Sequence, residues 1–203
     1  MKFAIQTNGW ESTKVLLQCI KEGVPYILNK YEPGYAAVGS VTWVEQCLGK
    51  TIKPDYFPKF LAKYVTRQIF NYNGDWALKP YSSFIKPADQ YKRFDGHVLW
   101  TQDLPAKPWV CSEIVKFTNE WRYYVLNGKI IDKSWYLGDN ECEAPQIDVD
   151  WGDWSGAADF GVLENGRIEL VEAHHPIACG WYPSDKKNML RFLYEGFEYT
   201  KNL

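Results

Sequence analysis

The stretch DFGVLENGRIELVEAHHP, residues 159–176, sets two carboxylates where a sheet would press them together. Asn165-Gly166 lies between two apolar-rich runs, and Asn-Gly is the strongest short hairpin signal, since both central residues of the tight turn need positive φ. A two-residue turn pairs Leu163 with Ile168, Gly161 with Leu170 and Asp159 with Glu172. Directly opposed side chains have Cβ atoms about 4.5–5.5 Å apart, and like charges there destabilise a sheet. His174 stands two residues beyond Glu172 and shares its face. Two readings are open on this pattern. The pair is solvated at a sheet edge or displaced by a bulge, or a cation such as Mg²⁺ lies between the carboxylates.

A second hairpin lies upstream in SEIVKFTNEWRYYVLNGKII, residues 112–131, around Asn127-Gly128. Alternation puts Glu120, Arg122 and Tyr124 on one face and Trp121, Tyr123 and Val125 on the other. A two-residue turn sets Lys133 opposite Arg122. Arg, Lys and Glu on one face suit an anionic ligand with hydroxyls, because Arg grips phosphate as a planar fork and Lys acts as a point charge. They equally suit a wet sheet face with cross-strand charge pairs.

A third segment, DWALKPYSSFIKPADQYKRFDGHV, residues 75–98, ends an apolar strand at Lys79, and Pro80 stops its ladder. Ser82, Ser83, Lys86, Lys92, Arg93 and Gly96 then read as a cationic loop able to close over phosphates, or as a surface hairpin with solubilising lysines. The Gly-x-x-x-x-Gly-Lys spacing of a Walker loop is absent.

The chain has 203 residues and a net charge of −2, which gives one domain with room for a small extra lobe and no bulk attraction to nucleic acid or acidic membranes. Its apolar runs are too short to span a bilayer, and the opening MKFAIQTNGWESTK lacks a signal peptide's apolar core. The five scattered cysteines form no Cys-x-x-Cys and read as reduced thiols, so a cytoplasmic location is expected.

Residues 2–6 and VPYIL read as strands around a helix from Glu11 to Lys21, a β-α-β opening without a dinucleotide glycine motif. Residues 40–48 and 57–69 read as helices, and strands dominate from Asp75: WALKPY, GHVLWT, WVCSEIVKF, EWRYYVL, KIIDKSWYL, ADFGVL and RIELVEA. NMLRFLYEGFEY has helical apolar spacing. The acidic, aromatic stretch 138–154 reads as a solvated surface loop or a recognition loop for a basic substrate. The fold class is therefore α+β.

Taken in order, these segments resemble the ATP-grasp superfamily over residues 54–183, and their wording is similar to a compact clade frequent in phages and bacteria. The resemblance implies two α+β lobes gripping ATP. It implies a truncated α/β lobe over 1–55 and an ATP-grasp domain over 56–203, with a smaller lobe near 73–118 and a larger one near 119–203. By the same resemblance Lys79 contacts phosphates, Glu113 and the backbone of Ile114, Val115 and Lys116 contact adenine, and Glu120 binds ribose. Asp159 and Glu172 hold Mg²⁺. The family's Glu-x-Asn reads Glu172-Ala173-His174, so His174 stands as a metal ligand that favours Mn²⁺, or as a phosphate donor. Ala157 stands where several relatives have Arg, which leaves Arg122, with Lys86, to balance phosphoryl charge, while Lys133 is expected to bind the cofactor. The implied activity is ATP-dependent ligation of a carboxylate to an amine or thiol through an acyl phosphate, on an amino acid or peptide. A nucleotide-binding module without turnover and a kinase stay open as alternatives.

Overall fold

The computed structural model describes residues 1–7, 9–74, 82–99, 105–182 and 186–203. Strand β1 (Phe3–Ile5) is apolar and fully buried, as suits the centre of a parallel sheet. It pairs in parallel with β2 (Tyr26–Leu28) and β3 (Ala36–Val38). Helix α1 (Trp10–Glu22) makes the first crossover and stops at Gly23, whose φ of 66° needs no Cβ. Helix α2 (Val41–Leu48) starts where the Ser40 hydroxyl accepts from the Trp43 N–H at 3.3 Å.

The helix expected over 57–69 is instead one 3₁₀ segment, Lys59–Tyr64. Pro58 sets its start, and Thr66 and Arg67 pull the chain out of it by donating to the buried Glu169 carboxylate. Strands β4 (Ile69–Tyr72), β5 (Ser83–Pro87), β6 (His97–Val98) and β7 (Trp109–Glu113) form an antiparallel sheet in the order β4-β7-β5-β6. WALKPY, and Lys79 with it, falls outside the described residues. Ser83 and Lys86, expected in a loop, stand on strand β5, because Ser83, Ile85 and Pro87 alternate inward. WVCSEIVKF is two strands: β7 ends at Glu113, and residues 114–116 cross to a second sheet.

That sheet holds β8 (Phe117–Leu126), β9 (Lys129–Leu137), β10 (Gly156–Leu163) and β11 (Ile168–His174) in the order β11-β10-β8-β9, all antiparallel. One face, through Tyr124, Leu126 and Ala157, packs on β1, α1 and the terminal helix α3 (Lys186–Lys201). Residues on both sides of position 55 thus share this core. The other face, through Trp121, Tyr123 and Phe160, packs on Leu61, Ile147 and Trp151. Ile147 and Trp151 pin the acidic stretch to the sheet while its carboxylates stay exposed. No described helix is long and apolar enough to cross a membrane.

The two hairpins differ in their turns. Asn127 and Gly128 both have positive φ, 47° and 72°, the two-residue turn expected there. In the second, only Gly166 does, and Leu163 N–H donates to Arg167 O, so the loop has three residues. Gly161 therefore faces Glu169 rather than Leu170. A bulge between Asp159 and Phe160 then restores the offset, and Asp159 faces Glu172 as expected.

Substitutions at the two turn glycines should differ in cost. A Cβ at Gly128 would overlap the Gly152 carbonyl oxygen, whereas one at Gly166 meets nothing within 4 Å. Gly166→Ala should cost about 1–2 kcal/mol from positive φ alone, and Gly128→Ala about 1–3 kcal/mol beyond that from overpacking. Urea unfolding of the two variants checks the ranking.

Candidate active site

Three neighbouring strands carry one row of charge. Arg122 on β8 lies directly opposite Asp159 on β10, which lies directly opposite Glu172 on β11. The next row is Tyr124, Ala157 and His174. Ala157 and Gly161 flank Asp159 on its own face of β10 with little or no side chain, so long side chains from the neighbouring strands can converge over it.

The charges are mutually satisfied. Arg122 Nε and Nη2 donate to the two Asp159 oxygens at 2.7 and 2.6 Å, a bidentate fork, and both residues are buried. Burial opposes the Arg122 charge, but the Asp159 charge and hydrogen bonds outweigh it and hold the guanidinium well above its ordinary pKa. Its Nη1 donates to Gly180 O at 3.2 Å, and its plane lies over the Tyr182 ring at 4.9 Å. Lys86 reaches across from β5 to ion-pair with Glu172. Burial, with Lys92 and Arg122 beside it, lowers the Lys86 ammonium to about 7 despite the pull of Asp159. Glu172 was expected to face Asp159 uncompensated in the absence of ligand. The structure corrects this, since each carboxylate has its own cation.

His174 Nε2 lies 3.1 Å from the other Glu172 oxygen. Burial holds this imidazole well below its ordinary pKa, so it is neutral and donates its Nε2–H. Its Nδ1 lone pair then has no partner among the described residues. Ligand atoms of Asp159, Glu172 and His174 lie within 4.8 Å of one another. Each carboxylate oxygen carries two lone pairs, so pairing with a cation leaves capacity for a metal. The donor set fits one divalent ion, with the nitrogen favouring Mn²⁺ over Mg²⁺.

Two cavities meet at this row. One, about 280 Å³, lies between the two sheets and is lined by Glu113, Ile114, Val115, Glu120 and Arg67. The other, about 490 Å³, is lined by Arg122, His174, Tyr136, Tyr182 and Lys92. Lys86 and Glu172 line both. Burial, and then the Asp159 charge, raise the Glu120 carboxyl to about 7. Tyr91 braces the junction: its hydroxyl accepts from the Asp55 and His175 N–H groups at 3.4 and 3.2 Å.

Of the residues singled out from sequence, Lys86, Glu113, Ile114, Val115, Glu120, Arg122, Asp159, Glu172 and His174 converge here. Lys116 does not line either cavity; its side chain is exposed and pairs with Glu164 at 3.0 Å. Lys133 is a correction. A bulge after Tyr124 sets it opposite Tyr123, on the other face from Arg122, with its ammonium 5.2 Å from the Tyr123 ring. Ser134 takes the place opposite Arg122. Sequence reading passed over Arg67 and Tyr56, which come from a segment with no hairpin or charge-spacing signal, and Tyr91, an uncharged residue inside the cationic segment 75–98.

A family model described as the ATP-grasp domain, R2K clade family 2, matches residues 60–192, about two thirds of the chain. Comparison with curated proteins finds no match, whereas 72 solved chains match by structure. One is D-alanine–D-alanine ligase from Bacillus anthracis, at 10% identity over 99% of this chain and 98% of that one, with a TM-score of 0.50. Another is the macrocyclase MdnC from Microcystis aeruginosa MRC with its precursor peptide MdnA, at 9% identity over 85% and 90% of the chains, TM-score 0.43. The ATP-grasp ligase PsnB with a minimal precursor aligns at 15% identity with 56% of this chain, TM-score 0.38. The chain spans about half the length of PsnB, at 47%. At these identities the likeness is one of fold. With two sheets enclosing a charged cleft, and a family model matched across both, the chain belongs to the ATP-grasp superfamily, R2K clade family 2.

Proposed function

We propose that the protein is an ATP- and metal-dependent ligase that joins a carboxylate to an amine or thiol through an acyl phosphate. The meeting of two cavities at Lys86 and Glu172 carries this reading, because it gives nucleotide and substrate one common border. The smaller cavity takes adenine against the backbone of Ile114 and Val115 with Glu113, and Glu120 takes the ribose hydroxyls. The phosphates then run to the charged row, with Lys79 as a further phosphate contact. A substrate carboxylate oxygen attacks the γ-phosphorus and ADP leaves. An amine nitrogen next attacks the acyl carbon, the C–O bond to phosphate breaks, and phosphate and a proton depart. Arg122 and Lys86 stabilise the charge that spreads over the transferred phosphoryl group. Asp159, Glu172 and His174 would hold Mg²⁺ or Mn²⁺, which supplies charge neutralisation on the phosphate oxygens. Amino acids and peptides are the proposed substrates.

Two observations favour a second reading, a nucleotide-binding module without turnover. His174 replaces the family's Asn, and both Asp159 oxygens are occupied by Arg122. Phosphate release from ATP in panels of carboxylates and amines separates the cases. Release that needs both substrates supports the ligase, a phosphorylated product without phosphate release supports a kinase, and ATP binding without turnover supports the module.

Glu172→Ala should lower turnover at least about 100-fold, the scale for losing one charge-stabilising group. It should also abolish metal-dependent ATP binding, measured by calorimetry with and without Mg²⁺ or Mn²⁺. Glu120 gives a pH test. Its folded pKa of about 7 is raised, so it is mostly protonated at pH 6 and ionised at pH 8. Ionised Glu120 accepts from ribose hydroxyls, so adenosine, which itself does not titrate in this range, should bind roughly tenfold tighter at pH 8 than at pH 6. Glu120→Gln should flatten that profile, and a flat profile in the unaltered protein would remove Glu120 from the ribose site.

A further inference from the structure

We propose that Tyr124 is a positioning residue for Arg122, acting through the segment 180–182. This rests on the ligase reading above, in which Arg122 takes charge on the transferred phosphoryl group. Tyr124 lies two residues beyond Arg122 on the same face of β8 and is fully buried. It lines neither of the two cavities that meet at the charged row, so it touches no ligand there.

Residues 180–182 belong to no helix or strand, so groups outside a ladder must satisfy their backbone. One hydroxyl bridges the segment. The Tyr124 O–H donates to Gly180 O at 2.9 Å, and its oxygen accepts from the Tyr182 N–H at 3.0 Å. The Tyr124 ring is itself held, by Trp181 at 4.1 Å between centroids and edge-on by Phe192 of α3 at 5.2 Å. A fixed ring thus carries a hydroxyl that pins the segment over β8.

The pinned segment then holds Arg122. The Gly180 carbonyl that takes the Tyr124 proton also accepts from Arg122 Nη1 at 3.2 Å. The Tyr182 ring, carried by the same segment, lies 4.9 Å from the guanidinium. The Asp159 fork grips only the Nε–Nη2 edge, and a plate held by one edge can rock about it. Gly180 O restrains the far corner and the Tyr182 ring restrains one face. A guanidinium has five N–H groups. Asp159 takes two and Gly180 one, which leaves two, one on each terminal nitrogen. Arg122, Gly180 and Tyr182 all line the larger cavity. The two remaining N–H groups are those that phosphoryl oxygens would use, and their aim depends on the segment, because hydrogen bonds weaken steeply with angle.

Calorimetry of ATP, ADP and adenosine in the presence of Mg²⁺ tests the role. Tyr124→Phe keeps the ring packing and removes the bridge. Its preference for ATP over ADP should fall about tenfold, the scale of one hydrogen bond to a charged group. Adenosine should bind within about twofold of the unaltered protein, as for an independent site. A merely structural loss would weaken all three ligands alike. Arg122→Lys should lower the same preference, and adding Tyr124→Phe to it should lower it no further, because the hydroxyl acts through the guanidinium. Hydrogen exchange gives a reading that needs no variant. By reciprocity, ATP but not ADP should slow exchange of the Tyr182 N–H, by about the same tenfold. An unchanged preference in Tyr124→Phe, an equal further loss in the Arg122→Lys background, or Tyr182 exchange indifferent to ATP overturns the positioning role and leaves the ligase reading. No binding of ATP by the unaltered protein overturns the ligase reading, and the positioning role with it.

Discussion

A buried pairing of two cations with two carboxylates organises the centre of this protein. Arg122 and Asp159 meet as a fork between β8 and β10, and Lys86 crosses from the other sheet to Glu172. Breaking one partner out of such a buried pair costs about 3–5 kcal/mol, a large share of a domain's stability. The Arg122–Asp159 fork thus ties β8 to β10 at this register, and Lys86 ties β11 to the other sheet. This pairing also lets two carboxylates lie opposite each other on adjacent strands without a metal. A divalent ion arriving with nucleotide would add to the lone pairs that remain on these oxygens.

The same arrangement explains why the cleft sits where it does. Residues 114–116 cross between the sheets at the rim of the smaller cavity, and Glu120 follows on β8 inside it. Small residues at 157 and 161 leave the space above Asp159 to side chains from other strands. Among the described residues, the Lys86–Glu172 pair is the link of the row that spans both sheets. It is held at the border of the two cavities, so phosphates entering there would compete with Glu172 for the Lys86 ammonium.

Much of the site was legible in sequence because it rests on local geometry. Asn-Gly turns and period-two alternation placed Arg122 on the face of Glu120 and Tyr124, and the facing of Asp159 and Glu172 agrees with the turn arithmetic. That last agreement hides two departures that cancel: a three-residue loop at Gly166 and a bulge at Asp159. Where a bulge had no counterpart, as after Tyr124, the same arithmetic put Lys133 on the wrong face. The 57–69 segment failed for another reason. Its apolar spacing suits a helix, but Glu169, a hundred residues away, draws Thr66 and Arg67 out of it.

The sequence by itself determined most of the strands, that a turn falls at each Asn-Gly, and which side chains share a face along a single strand, because each follows from alternation and φ preferences within a few residues. It also carried the spacing of Glu113, Glu120, Asp159 and Glu172 on which the resemblance to the superfamily rests, and the family model matches residues 60–192. Tertiary structure alone decided the partners of those charges. That Arg122 takes Asp159, that Lys86 comes from the opposite sheet and that Glu11 from α1 stands behind Gly180 depend on how distant elements pack. Burial then sets the charge states of Lys86, Glu120 and His174, since the cost of a charge depends on what surrounds it once the chain has closed.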